Sequence, residues 1–188
     1  MTEKDGIKVY SKSVADSKIK TLRVTCELNT TLSALVALLL DVPATPTWVS
    51  HTKSCSLVKR VSASELYYYS EVSLPWPLEN RDFVAHVKVS QDKSTKVVTV
   101  DAPAVPGVIA VKSDIVRVSQ SLGYWTISTL GHGKIKVDYS LQVDPGGIIP
   151  AWAVNALSSQ GPLESFINMK KMLQRDEYKN AVLNYIEN

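Results

Sequence analysis

The chain predicts an α+β fold in which one large antiparallel sheet carries its helices on one side. Three observations point there. Between Cys55 and Asp144 nearly every segment alternates apolar and polar side chains with the period of a strand. Two short helical stretches precede that region, and after "DPGG" (144–147) the spacing becomes helical. The chain has 188 residues, 45% of them hydrophobic, which suits a single domain over 1–188 with one core.

The elements follow in order. "GIKVYSKSV" (6–14) and "KTLRVTCELN" (20–29) are strand-like, the second with strict alternation. In "TTLSALVALLLDV", Thr30 or Thr31 caps a helix whose apolar face is Leu32, Leu35, Val36, Leu39 and Leu40, ended by Pro43. "TPTWVSH" (45–51) is a second short helix with Pro46 in its first turn. Strands are then expected at 55–62, 65–74, 81–90, 94–102, 113–121, 123–129 and 134–143, in a long antiparallel meander. Their joints "SAS", "SQDKS", "PAVPG" and "LGHG" carry turn chemistry. "IPAWAVNALSS" and "PLESFINMKKMLQ" are helical, the latter with a stripe of Leu163, Phe166, Ile167, Met169 and Leu173. Gly161-Pro162 either separates two helices or kinks one. "EYKNAVLNYIEN" (177–188) is expected to form a short amphipathic tail helix. A sheet this long twists, and therefore tends to curl.

Composition narrows the function. The 21 basic and 18 acidic side chains leave a net charge of only +3, with no basic run interleaved with aromatics, so nucleic acid is not an expected partner. The longest apolar run, "LSALVALLL" (32–40), is about half the ~20 residues a membrane-spanning helix needs. "MTEKDGIKVY" has no hydrophobic segment behind it and does not read as a signal sequence. Cys26 and Cys55 lack metal-ligand spacing, so no metal is expected. Cys26 alternates with Leu22, Val24 and Leu28 and reads as a core thiol. A reducing compartment fits, although two cysteines still allow one disulfide.

Alternation also assigns faces. Leu66, Tyr68, Ser70, Val72 and Leu74 face inward, against Tyr67, Tyr69, Glu71 and Ser73. Arg81, Phe83, Ala85, Val87 and Val89 face inward, against Asp82, Val84, His86 and Lys88. Ile135, Val137, Tyr139, Leu141 and Val143 are inward by the same rule, and Trp125 and Ile127 on their strand. Arg81 thus ends an apolar inward row. Unless the strand end frays and leaves it wet, it needs a carboxylate, carbonyls or a bound polar group, since an unpaired buried guanidinium costs several kcal/mol. Within "LPWPLENRDFV" (74–84), Trp76 sits on a proline-stiffened loop, where it either plugs the core or projects outward as tryptophan does at membrane interfaces.

"LPWPLENRDFV", "GYW" (123–125) and "DPGGIIPAWAVNAL" (144–157), with "DGIKVY" (5–10) and "PTWV" (46–49), resemble the START domains in their bacterial form. The resemblance covers almost the whole chain in the right order. It implies a helix-grip fold: a curved antiparallel sheet wrapped round a long C-terminal helix, with two short helices after the second strand. It implies a cavity for one lipid or other hydrophobic molecule; no cofactor, a monomer and a cytoplasmic location are expected. The implied ligand site takes Tyr68, Ser70 and Val72, then Arg81 and Phe83, then Trp125 and Tyr139 from the sheet. The terminal helical region adds Trp152, Asn155, Phe166 and Met169. Trp76, on the loop at the cavity mouth, is implied to contact the membrane transiently. Two features depart from the family pattern. The sterol-binding branch adds an acidic cavity partner on the preceding strand, but the inward positions there are Ser70 and Tyr68, which argues against sterol specificity. The opening helix is also missing, which suggests a trimmed N-terminus and with it a possible targeting segment.

Three functions follow. The first is a non-enzymatic carrier or sensor of a hydrophobic ligand, driven by apolar burial, with the loop and the Gly161-Pro162 bend opening together. The second is a polyketide cyclase or aromatase on the same scaffold, for which Arg81, Tyr68, Tyr139 and His51 are the candidate groups. His86 faces outward and His132 lies in the "GHG" turn, so neither suits catalysis. The third is a protein-binding module using the outward row Tyr67, Tyr69 and Glu71, which otherwise reads as a solvated face. "GHGKIK" (131–136) joins two strands and so lacks the helix N-terminus that a phosphate loop requires. Met169 and Met172 read as adaptable packing.

Overall fold

The computed structural model describes residues 1–13, 20–147, 149–150 and 160–188. Strand β1 (Thr2–Lys4) turns through Asp5 and Gly6, both at positive φ, into β2 (Ile7–Ser13). The polar triplet of β1 has no apolar alternation, so no strand was expected there. β3 (Lys20–Asn29) follows, then helix α1 (Leu32–Leu39) and helix α2 (Thr45–Trp48). The Thr31 hydroxyl caps α1 by accepting from the Ala34 amide at 3.1 Å. α1 buries Leu32, Ala34, Leu35, Val36 and Leu38, so it is a core helix rather than a one-faced one.

The sheet continues with β4 (Thr52–Ser62), β5 (Glu65–Val72), β6 (Asn80–Gln91), β7 (Val98–Pro103), β8 (Ile115–Arg117), β9 (Gln120–Gly131) and β10 (Lys134–Asp144). Its order is β1-β2-β3-β10-β9-β7-β6-β5-β4. The chain closes with α3 (Gly161–Met172) and α4 (Asp176–Lys179). The curved sheet presents one face to α3, whose Phe166 ring stacks on Trp125 with centroids 5.5 Å apart. Ile7, Val24, Leu35, Ile127, Ile135 and Met169 are fully buried in the core between them. Among the described residues no helix is long and apolar enough to cross a membrane.

Several expectations are corrected. The meander is not wholly antiparallel: β8 pairs in parallel with β6, Val116 opposite Arg81. The strand expected at 94–102 starts only at Val98. Asp92 folds the preceding residues into a turn, its Oδ1 accepting from the amides of Ser94 and Thr95 at 2.9 and 2.7 Å. The two strands expected at 113–121 and 123–129 are instead the short β8 and one continuous β9. Pro162 sits in the first turn of α3, where a missing amide proton leaves no helical bond unmade. Of the helix expected at 149–159, residues 149–150 are not helical, and 151–159, with Trp152 and Asn155, lie outside the described residues. Both cysteines are free; burial pushes the Cys26 thiol up to about 12.

The tail helix stops at Lys179, because tertiary bonds win over local helix preference. The Tyr185 hydroxyl donates to the Ala63 carbonyl at 2.9 Å, and Gln91 exchanges two hydrogen bonds with the backbone of Glu187. Asn188 Oδ1 accepts from the Ser33 amide at 2.9 Å, satisfying an orphan donor in the first turn of α1.

The outward row is not solvated either. Tyr69 and Glu71 are buried. Lys112, from the segment between β7 and β8, donates to the Tyr69 hydroxyl at 2.8 Å and lies 4.7 Å from its ring centroid. Lys53 and Asn80 each reach Glu71 Oε1 at 2.8 Å and, with burial opposing them, hold its carboxyl below the usual range. Strand alternation identifies the two faces but does not show that a distant loop covers the second.

Candidate ligand-binding cavity

The inward rows of the sheet do not meet. β5 supplies Tyr68, Ser70 and Val72, and β6 supplies Arg81, Phe83 and Ala85. Their register sets Ser70 opposite Phe83 and Val72 opposite Arg81. β9 and β10 supply Trp125 and Tyr139, which are register partners with ring centroids 4.3 Å apart. α2 contributes Trp48 and α3 contributes Phe166. Between these walls lies a cavity of about 360 Å³, within the range of ~300–1,000 Å³ typical of small-molecule sites. Among the described residues its lining contains no histidine, aspartate or glutamate.

Arg81 is the cationic group in that lining, and only 5% exposed. Its Nη1 donates to the Glu79 carbonyl at 2.5 Å, its Nη2 to the Gly146 carbonyl at 3.2 Å, and its Nε to the Pro145 carbonyl at 3.3 Å. No carboxylate among the described residues forms an ion pair with it. Burial lowers its pKa, and Glu79 pulls the other way. Of the possibilities open for Arg81, the structure selects a buried guanidinium held by carbonyls. A guanidinium has five N–H donors, so two are without a partner among the described residues.

The turn that holds Arg81 depends on two glycines. Gly146 and Gly147 have φ of 67° and 62°, a region that L side chains rarely adopt. A Cβ on Gly146 would lie 3.0 Å from Val116 of β8, and one on Gly147 would lie 3.4 Å from Arg81 Nη2. On the far side of β6, Asp82 is fully buried and receives a two-pronged ion pair from Arg117, at 2.7 Å from Nε and 3.0 Å from Nη2. Arg117 also donates to the carbonyls of Ile109 and Ala110, fastening the loop that covers the sheet. The Arg-Asp pair thus serves both faces of one strand.

Tyr68, Ser70, Val72, Arg81, Phe83, Trp125, Tyr139 and Phe166 therefore all line one space. Met169 does not; it is fully buried in the packed core. Trp76 is 91% exposed at the loop tip, so it projects outward and does not plug the core. Sequence reasoning missed Trp48 as a wall residue, and the carbonyls of Pro145 and Gly146 as the arginine cradle. "PTWV" and "DPGG" were visible signals, but neither indicates which atoms turn inward. His51 is exposed outside the cavity, and His86 stacks on Tyr67 and meets Glu65 at 2.7 Å on the outer face.

A curled sheet gripping a terminal helix over an apolar cavity defines a helix-grip protein. The family profile of the START domain matches residues 1–179, and the chain belongs to that family. The phosphatidylcholine transfer protein of Mus musculus is 27% identical, over 93% of this chain and 82% of its own length. The crystal structure of a STAR-related lipid transfer protein from Xanthomonas axonopodis superposes with a TM-score of 0.82 at 27% identity, covering 93% of this chain and 97% of that one. The Zhui aromatase/cyclase of a Streptomyces species shares the fold alone, at 10% identity and a TM-score of 0.54, over 82% of this chain and 91% of its own.

Proposed function

We propose that the protein binds one lipid molecule in this cavity and carries it between membranes, without chemical change. The observation that supports this most directly is the mostly apolar cavity with one buried guanidinium whose partners among the described residues are carbonyls. Apolar walls shield an acyl chain at ~25 cal/mol per Å² of surface removed from water. The spare donors of Arg81 suit a polar head group bearing negatively charged or carbonyl oxygens. The mouse relative's name adds support for a phospholipid.

The 75–77 loop suits the exchange step. Trp76, flanked by Pro75 and Pro77, presents an almost fully exposed indole, which is favoured at a bilayer interface. Catalysis on this scaffold is the less supported reading. General acid–base work needs a group that titrates near neutrality at the substrate. The cavity offers Tyr68 and Tyr139, whose phenols burial pushes further up.

Gently purified protein should carry a co-purifying lipid, seen by native mass spectrometry as a mass adduct. It should also move fluorescent phospholipid between vesicles. Trp76→Ala is expected to slow transfer about tenfold while leaving the retained lipid unchanged. A consistently empty cavity together with no uptake of any lipid would overturn the reading.

A further inference from the structure

Two hydroxyls in the cavity have no task in the scheme above. Tyr68 stands on β5 and Tyr139 on β10, strands from opposite halves of the sheet order that curl to enclose one space. Each ring is fixed by aromatic neighbours. Tyr68 meets Phe83 edge-on with centroids 5.9 Å apart, and Tyr139 packs on Trp125 and Phe166 at 4.3 and 6.0 Å. Both residues are half-buried wall residues, and neither hydroxyl has a hydrogen-bond partner among the described residues. Buried tyrosine hydroxyls ordinarily find one, because an unmet donor in an apolar site is costly.

Burial raises the Tyr68 pKa most, and Cys55 and Tyr139 push the same way. Burial likewise raises Tyr139. Both therefore remain neutral O–H donors at any physiological pH. A neutral donor suits an uncharged acceptor, whereas the guanidinium suits the charged head.

We propose that Tyr68 and Tyr139 form a second polar clamp that hydrogen-bonds the carbonyl oxygens of an ester-linked lipid, apart from the head-group contact at Arg81. This rests on the lipid-binding reading and narrows it: the ligand is an acyl ester, selected against an ether-linked or purely hydrocarbon analogue of the same length. A pocket built to hydrogen-bond a group rejects the analogue lacking it, because its own donors are then left unmet.

The test uses two sets of vesicles with equal amounts of phosphatidylcholine, phosphatidylethanolamine and phosphatidylglycerol. One set is diacyl and the other is the dialkyl ether series of matched chain length. Native mass spectrometry reads the lipid retained by the whole protein after incubation. The wild type is expected to retain ester over ether lipid by about tenfold. That ratio should fall towards one in Tyr68→Phe/Tyr139→Phe, through loss of ester retention. The single variants Tyr68→Phe and Tyr139→Phe, which keep ring shape, should give intermediate ratios, and their thermal midpoints report folding. Equal retention of both series by the wild type, or a ratio unchanged in the double variant, would overturn the clamp and leave the cavity reading intact. Retention of neither series would overturn the cavity reading itself.

Discussion

Arg81 concentrates the argument at the scale of a single residue. Buried charge is tolerated only where geometry supplies partners, and here the partners are dipoles rather than a counter-ion. Among the described residues no carboxylate pairs with that positive charge, and under the proposed function the ligand's head group would bring the opposite sign. Arg81→Gln keeps a polar, planar end but loses the charge and most of the donors. Its affinity for anionic-head phospholipid, measured by fluorescent-lipid titration, should fall tenfold or more, the equivalent of ~1.5–3 kcal/mol for a charged hydrogen bond. Binding of a neutral hydrocarbon probe should change little. Alternation along β6 was enough to turn this residue inward. It could not say that two carbonyls from a turn more than sixty residues away complete the cradle, because a period of two encodes faces, not distant partners.

At the scale of elements, β6 and the short parallel β8 form one device. Arg81 points to the cavity, Asp82 points away to Arg117, and Val116 on β8 lies against the Gly146 turn. Arg117 is thus a positioning residue for a guanidinium it never touches. Arg117→Gln leaves the buried Asp82 carboxylate without its cation, a change expected to cost ~3–5 kcal/mol and to appear as a lowered denaturant midpoint. Asp82→Asn/Arg117→Gln, which removes both charges, should recover part of that loss. Both variants should also release more lipid than the wild type, since the Gly146 carbonyl loses its backing. No periodic signal in "SDIVRVSQS" distinguishes a short parallel strand from an ordinary meander strand. The length and direction of β8 are set by the ion pair and by the Val118 amide donating to the Asp82 carbonyl at 2.8 Å.

For the whole molecule, the cavity has a thermodynamic consequence. A fold that keeps an internal void forgoes dispersion contacts along its walls, and a ligand that fills the void restores them. Lipid that binds only the folded state should raise the thermal midpoint, by an amount that grows with free lipid as RT ln(1 + [L]/Kd). Scanning calorimetry of delipidated protein, before and after loading, measures this shift. At a hundredfold excess over Kd the expected gain is about 2.7 kcal/mol. The C-terminal strap then becomes informative. Its bonds to Ala63, Gln91 and Ser33 tie α1 and the β4–β5 turn to the chain end, so these parts are expected to exchange amide protons slowly with or without ligand. Protection gained on loading should concentrate instead at the 74–80 loop.

What the sequence determined alone is what local pattern can encode. Strand periods, a threonine cap at 30 or 31, the inward rows of β5, β6 and β10, and the family to which the motifs belong were all legible from neighbours a few residues apart. Only the tertiary structure decided that those rows stand apart around a cavity, that a distant turn cradles Arg81, and that a loop covers the sheet's other face. The tail also abandons its helix for contacts across the chain. The reason is physical: periodicity reports which side of an element is apolar, whereas a void, an ion pair or a strap depends on how far a sheet curls. That curvature is a sum over all ten strands.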